Sequence, residues 1–264
     1  MKRNLVVSFV AATYVWTWSV NLPQLPLLGA HRISSGATTL ANFSPSIVAL
    51  MLIAISCGRV GLGELVRRLR PNRRDLGLSG VAVALAMASA ALAFLGYEAV
   101  AGERPPLSSP ANLAGMTLIL IPFTGLGEEL GWRGFMLDRL QSRMSRTSAT
   151  LCVALAWGVW HIPMLLRNQA EGDRTPALIA LFVVGTIPLS FIFTAIYNAS
   201  RRQLLPVIVF HAAIDSSIAY FLGPVPRGDL RAFAMWIGII TAVAVSIAVR
   251  DRRRWALDWT PPVS

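Results

Sequence analysis

Apolar stretches of about twenty residues, separated by short polar segments, recur along the whole 264-residue chain. A helix crossing the hydrocarbon core of a bilayer needs about 20 apolar residues, rising about 1.5 Å each. The pattern predicts spans at 5–22, 38–57, 79–98, 112–130, 148–167, 177–197, 203–222 and 232–249. Apolar and polar positions do not alternate with a period of two, which argues against a β-barrel. The chain is therefore expected to be an all-α polytopic membrane protein with about eight transmembrane helices, 1–264 forming a single membrane-embedded domain.

The segments between spans refine this outline. The start, "MKRNLVVSFVAATYVWTW", has the charged head and apolar body of a signal peptide. No small-residue cleavage site follows it, so it reads as a retained first helix. "LGELVRRLRPNRRDLG" (62–77) predicts a short amphipathic helix at one membrane face, ended by Pro71. "ERPPLSSPAN" (103–112) reads as a Pro/Ser loop on the other face, and 250–264 as a basic tail. There is no internal repeat and no pair of broken helices of the kind that marks a secondary transporter.

Composition agrees with a membrane protein. Hydrophobic residues make up 55% of the chain and charged ones 14%, against about 25% in soluble domains; the mean hydropathy is +0.58. A net charge of +11 would suggest nucleic acid, but its distribution does not. With eight spans, 17 Lys and Arg fall on the side of the termini and 6 on the opposite side, with Arg133 inside a span. That asymmetry places both termini in the cytoplasm of a cell membrane and assigns the basic excess to topology and anionic lipid. The bias of 23 Arg to one Lys suggests a GC-rich bacterial genome. Cys57 and Cys152 form no CxxC motif and are expected to be inert core residues.

The candidate chemistry lies in the few ionisable groups within spans: Glu128, Glu129, Arg133, His161, His211 and Asp215. Such groups cost about 2.5 to 3.5 kcal/mol each at a helix centre, so by default they mark function. Glu129 and Arg133 are four residues apart in the favourable acid-first order, which predicts a local ion pair. Glu128, rotated about 100° away, lacks that partner. The alternative is that 128–142 is a solvated surface helix, which the surrounding Trp132, Phe135, Met136 and Leu137 oppose. His161 follows Trp157 by one turn; taken alone it could be a core histidine bonded to a carbonyl. His211 and Asp215 share a face, so the carboxylate can fix the imidazole, or the two can clamp neighbouring helices together. Counted in residues, Glu128, His161 and His211 lie about 12 to 21 Å deep. That shared level favours one polar cavity over three unrelated structural roles.

In order along successive helices, "EELGWR" fits EExxxR, "WGVWH" fits an aromatic-xxxH motif, and "HAAID" fits HxxxN/D. Over about residues 112–222 the chain resembles the CPBP intramembrane proteases, the superfamily of CAAX prenyl proteases and bacteriocin-immunity proteins. The resemblance implies an eight-helix fold with a conical cavity open to the cytoplasm and often to lipid. It implies a catalytic core at 112–222 that hydrolyses a peptide bond of a membrane-associated protein or peptide. Glu128 and His161 would activate water, and His211 would stabilise the oxyanion. Glu129, Arg133 and Trp157 would support them. Asp215 stands where many relatives carry Asn; an ionised Asp donates no hydrogen bond, so its expected part is to orient His211.

Members of that family have been described both as glutamate-type proteases and as metalloproteases. Glu128, His161 and His211 could form a zinc set with an open position, although HExxH is absent. Two other classes compete: a non-catalytic immunity or scaffold protein, and a proton-coupled transporter. The retained Glu128, His161 and His211 oppose the first, and the lack of repeats opposes the second. The expected partners are a peptide or membrane-protein substrate and lipid, with no nucleic acid. The sequence is silent on oligomeric state and on whether a substrate is prenylated.

Overall fold

The computed structural model describes residues 5–25, 28, 33–102, 107, 109–168, 175–223 and 230–255. Among these the secondary structure is helical, without strands. Helix α1 covers Leu5–Asn21, α2 Ser35–Asn42, α3 Ser44–Arg67 and α4 Arg73–Ala101. Helix α5 runs through Pro110–Gln141, α6 covers Arg146–Trp160 and α7 Ile162–Asn168. Helices α8 (Thr175–Ala199), α9 (Leu205–Phe221) and α10 (Leu230–Arg250) complete the bundle. Among the described residues seven helical segments are long and apolar enough to cross a membrane, and α9 is a shorter apolar helix. The protein is an all-α, multi-pass membrane protein.

Local sequence explains most boundaries. The side chains of Ser34, Asn72, Ser109 and Ser145 each accept a hydrogen bond from the backbone N–H three residues on, which caps α2, α4, α5 and α6. Pro45, Pro110 and Pro206 sit in first turns, where a missing N–H costs nothing. The second span, expected from residue 38, is two helices. Phe43 separates α2 from α3, and α3 starts at Ser44.

The segment expected to be a separate amphipathic helix is the end of α3. Gly58, at φ 57° and ψ −151°, kinks α3 and redirects its basic last turns. A left-handed φ of this kind favours glycine. The basic tail begins as a 3-10 turn at Arg252–Trp255. Trp255 is buried, stacks on Phe191 and accepts a hydrogen bond at its carbonyl from Thr147. The rest of 250–264 lies outside the described residues.

The helix contacts run in a closed circuit: α1 to α3, α5, α9, α4, α10, α8, α6 and back to α1. Helix α1 is part of that wall, with Phe9 fully buried against Trp132 and Phe135. Cys57 and Cys152 are exposed on the outside of α3 and α6, so they are not core residues as expected. Their small apolar character suits a lipid-facing surface equally well, which is why composition could not place them.

Residues 127–137 of α5 are all buried. They pack against α3, α6 and α9. Two close approaches permit this. A Cβ on Gly131 would stand 2.5 Å from the Pro45 carbonyl oxygen, and one on Gly125 would stand 2.5 Å from that of Ile208. Helices in lipid approach this closely only where small residues face each other. The surface-helix alternative for 128–142 therefore fails over the stretch that carries both glutamates.

Candidate active site

The two glutamates lie on one α-helical turn, Gly127–Gly131, between π-helical stretches at Ile121–Leu126 and Trp132–Leu137. Each π-helical stretch shifts the angular register of the helix, and such irregularities are frequent at functional sites. Here they flank a single turn that sends Glu128 and Glu129 in different directions.

Glu129 points to the protein interior. Its Oε1 accepts from Nη1 of Arg133 at 2.7 Å and meets Nδ1 of His211, also at 2.7 Å. Glu129 and Arg133 are both completely buried, which bears out the expected ion pair in geometry. The Arg133 guanidinium also lies 3.8 Å from the centre of the Phe193 ring and 4.7 Å from that of Trp157. A delocalised cation on an aromatic face is stabilised by the ring quadrupole, most of all where water is excluded.

Glu128 takes a different partner. Its Oε2 accepts from Nε1 of Trp157 at 2.7 Å. Trp157 also stands edge-on to both histidines, 5.6 Å from His161 and 5.5 Å from His211 between ring centres. One indole on α6 thus spaces Glu128, Arg133, His161 and His211. His161 lies at the break between α6 and α7, held among Trp157, Trp160 and Phe182. Its Nδ1 donates to the Trp157 carbonyl at 2.8 Å, which fixes Nε2 as the free nitrogen.

Asp215 does lie beside His211, but it is not the nearest carboxylate. The short contact to His211 comes from Glu129, whereas Oδ2 of Asp215 stands 3.7 Å from Nε2. The i, i+4 rule found a carboxylate near the ring, but a neighbouring helix supplies the closer one. Phe193, which no sequence signal singled out, packs on Arg133, Trp157 and His211. An aromatic residue in an apolar span carries no mark of such a role.

Glu128, His161, His211, Asp215 and Trp157 line one cavity of about 530 Å³. Its other walls are mainly apolar, with Phe123 of α5, Phe182 of α8 and Trp236 of α10 among them. The cavity begins at mid-bundle, at Glu128 and His211. It extends towards Thr39, Asn42 and Arg167, at the ends of the bundle remote from Leu5 and Arg250. The resemblance and the arginine asymmetry therefore disagree. One puts this opening on the cytoplasmic side, and the other on the far side.

The same residues test the zinc set. Among the described residues no group of three or more His, Cys, Asp and Glu side chains stands where it could hold a metal ion. Nδ1 of both histidines and Oε2 of Glu128 are already engaged, and the remaining donors do not converge. The side chains as placed do not fit a zinc site.

Residues 110–217, from the start of α5 into the last turns of α9, match the family model described as Type II CAAX prenyl endopeptidase Rce1-like. Over that segment the chain resembles the CAAX prenyl proteases. It is similar to CAAX prenyl protease 2 of Methanococcus maripaludis, with 32% identity over 102 residues. That stretch is 37% of this chain and spans 38% of the relative's length. The buried Glu128, Glu129, Arg133 and His211 all fall inside the matched segment, and so do the half-buried His161 and Asp215.

Proposed function

We propose that the protein is an intramembrane endopeptidase in which Glu128 and His161 activate a water molecule and His211 stabilises the oxyanion. One observation carries this reading: three helices bring these side chains to one end of a single cavity, spaced by Trp157. Amide hydrolysis needs a base for the attacking water and a donor where negative charge develops. Glu128 keeps Oε1 available for a water proton, because Trp157 takes only Oε2. A poorly solvated carboxylate is a stronger base than one at the surface. His161 presents Nε2, able to share that water or receive its proton. His211 donates from Nε2 as the imidazolium, with Glu129 on one side of the ring and Asp215 on the other. Asp215, as an ionised carboxylate, balances this charge and is not itself an oxyanion donor.

The substrate is proposed to be a peptide or a membrane-associated protein. The apolar walls admit the chain from the lipid or through the mouth at Thr39 and Arg167. The test is cleavage of a peptide library by purified protein, with and without a strong chelator. Cleavage that survives chelation and disappears in Glu128→Ala is the expected result. Cleavage lost on chelation and restored by zinc would mean that these side chains serve a metal. No cleavage of any peptide in lipid vesicles would favour a scaffold.

The 17 to 6 arginine and lysine asymmetry further leads us to place both termini in the cytoplasm. The cavity then opens away from the cytoplasm. Reporter fusions after residues 78, 146 and 201 should report cytoplasm, and those after 105, 172 and 227 the exterior. The reverse pattern would put the cavity mouth on the cytoplasmic side and overturn this orientation.

A further inference from the structure

A second pocket, of about 330 Å³, lies at the opposite end of the bundle from the catalytic cavity and shares no residue with it. Arg68, Arg139, Arg143 and Arg202 line it, against two carboxylates, Glu64 and Asp138. Both carboxylates are already engaged. Glu64 pairs with Arg68 at 2.7 Å, and Asp138 pairs with Arg68 at 3.4 Å and Arg202 at 3.0 Å. Asp138 also accepts from the Tyr197 hydroxyl at 3.1 Å. Arg139 rests on the Phe135 ring, 3.7 Å from its centre, and donates to the Phe135 carbonyl. The pocket is thus a cationic cup whose acids are consumed in holding its own walls.

On the pocket's other side the lining is mainly small and apolar residues of α1 and α3. Leu5, Ile53, Ser56, Cys57 and Gly61 line it there, beside the kink at Gly58. Next to them Ile55 and Val60 are 80% and 84% exposed on the outside of α3. A ligand held here has arginine fork donors at one end and lipid-facing hydrocarbon at the other.

We propose that this pocket binds the phosphate of an anionic membrane phospholipid, with its acyl chains lying along the exposed face of α3. Guanidinium groups match phosphate geometry, often with two parallel hydrogen bonds. Basic pockets between membrane helices are recurrent sites for anionic headgroups. A free phosphate would use the same arginines but not the hydrocarbon face. This site is independent of whether the protein hydrolyses peptides.

The test is native mass spectrometry of the purified full chain from neutral detergent, with melting followed in parallel. Phosphatidylglycerol should remain bound and raise the melting temperature, while phosphatidylcholine and inorganic phosphate should do neither. The Arg139→Gln/Arg143→Gln double variant should bind phosphatidylglycerol on the order of tenfold more weakly, since each basic group near anionic lipid contributes modestly. Arg73→Gln/Arg74→Gln removes the same charge from exposed positions outside the pocket and should bind like the parent. Cys57→Trp keeps every charge but fills the pocket, and should also lose the lipid. Equal weakening by both double variants, or binding retained in Cys57→Trp, would overturn the site. Stabilisation by inorganic phosphate equal to that by phosphatidylglycerol would overturn the lipid as its ligand.

Discussion

Glu128→Ala, His161→Ala and His211→Ala are each expected to abolish peptide cleavage while leaving folded protein in the membrane. Loss of a general base commonly costs on the order of 10² to 10⁴ in rate. The geometry adds a distinction between two Glu128 variants. Trp157 Nε1 is buried and donates to Oε2 of Glu128. Alanine strands that donor, at a cost of about 1 to 3 kcal/mol. Glutamine keeps an acceptor oxygen but is not a base. Glu128→Gln should therefore melt close to the parent and be as inactive as Glu128→Ala. Because the groups act on one water and one carbonyl, Glu128→Gln/His161→Ala should be little slower than either single variant. Peptide cleavage measured beside melting in detergent checks both statements. A Glu128→Gln variant with near-parental cleavage would remove Glu128 from the mechanism.

The sequence made some of this visible and concealed the rest for physical reasons. The long helices were legible because hydrocarbon thickness imposes a length and an apolar run on every crossing, and the 17-residue α9 because its apolar run is nearly as long. The Glu129–Arg133 pair was legible because four residues bring side chains onto one face of a helix. The same rule linked His211 to Asp215, whereas the closer carboxylate belongs to Glu129, 82 positions earlier in the chain. Pairing across helices has no sequence period. The π-helical stretches beside Glu128 were hidden for a related reason. They sit where Gly125 and Gly131 let α5 meet the backbones of α9 and α3, and that fit is a tertiary property. The direction of the cavity was equally hidden, since it depends on which ends of the helices close over the site and which part.

Glu129→Gln and Arg133→Ala should impair accumulation and melting as well as cleavage. One oxygen, Oε1 of Glu129, holds both Nη1 of Arg133 and Nδ1 of His211, and neither member of the pair is exposed. Breaking a buried pair on one side typically costs about 3 to 5 kcal/mol, a large share of a total stability of about 5 to 15 kcal/mol. Arg133→Lys should recover little, because an ammonium group cannot lie flat on Phe193 and Trp157 as the guanidinium does. The double variant Glu129→Leu/Arg133→Met separates the two parts Glu129 plays. An apolar pair of similar volume removes both buried charges together, and such replacements are often neutral or stabilising. It should melt above either single variant, short of the parent by the cost of the stranded His211 Nδ1, about 1 to 3 kcal/mol. It should remain inactive, because His211 loses the carboxylate that fixes its ring. Single variants that accumulate and melt like the parent would show that the pair contributes little to folding. A double variant regaining both stability and cleavage would show that Glu129 does not position His211.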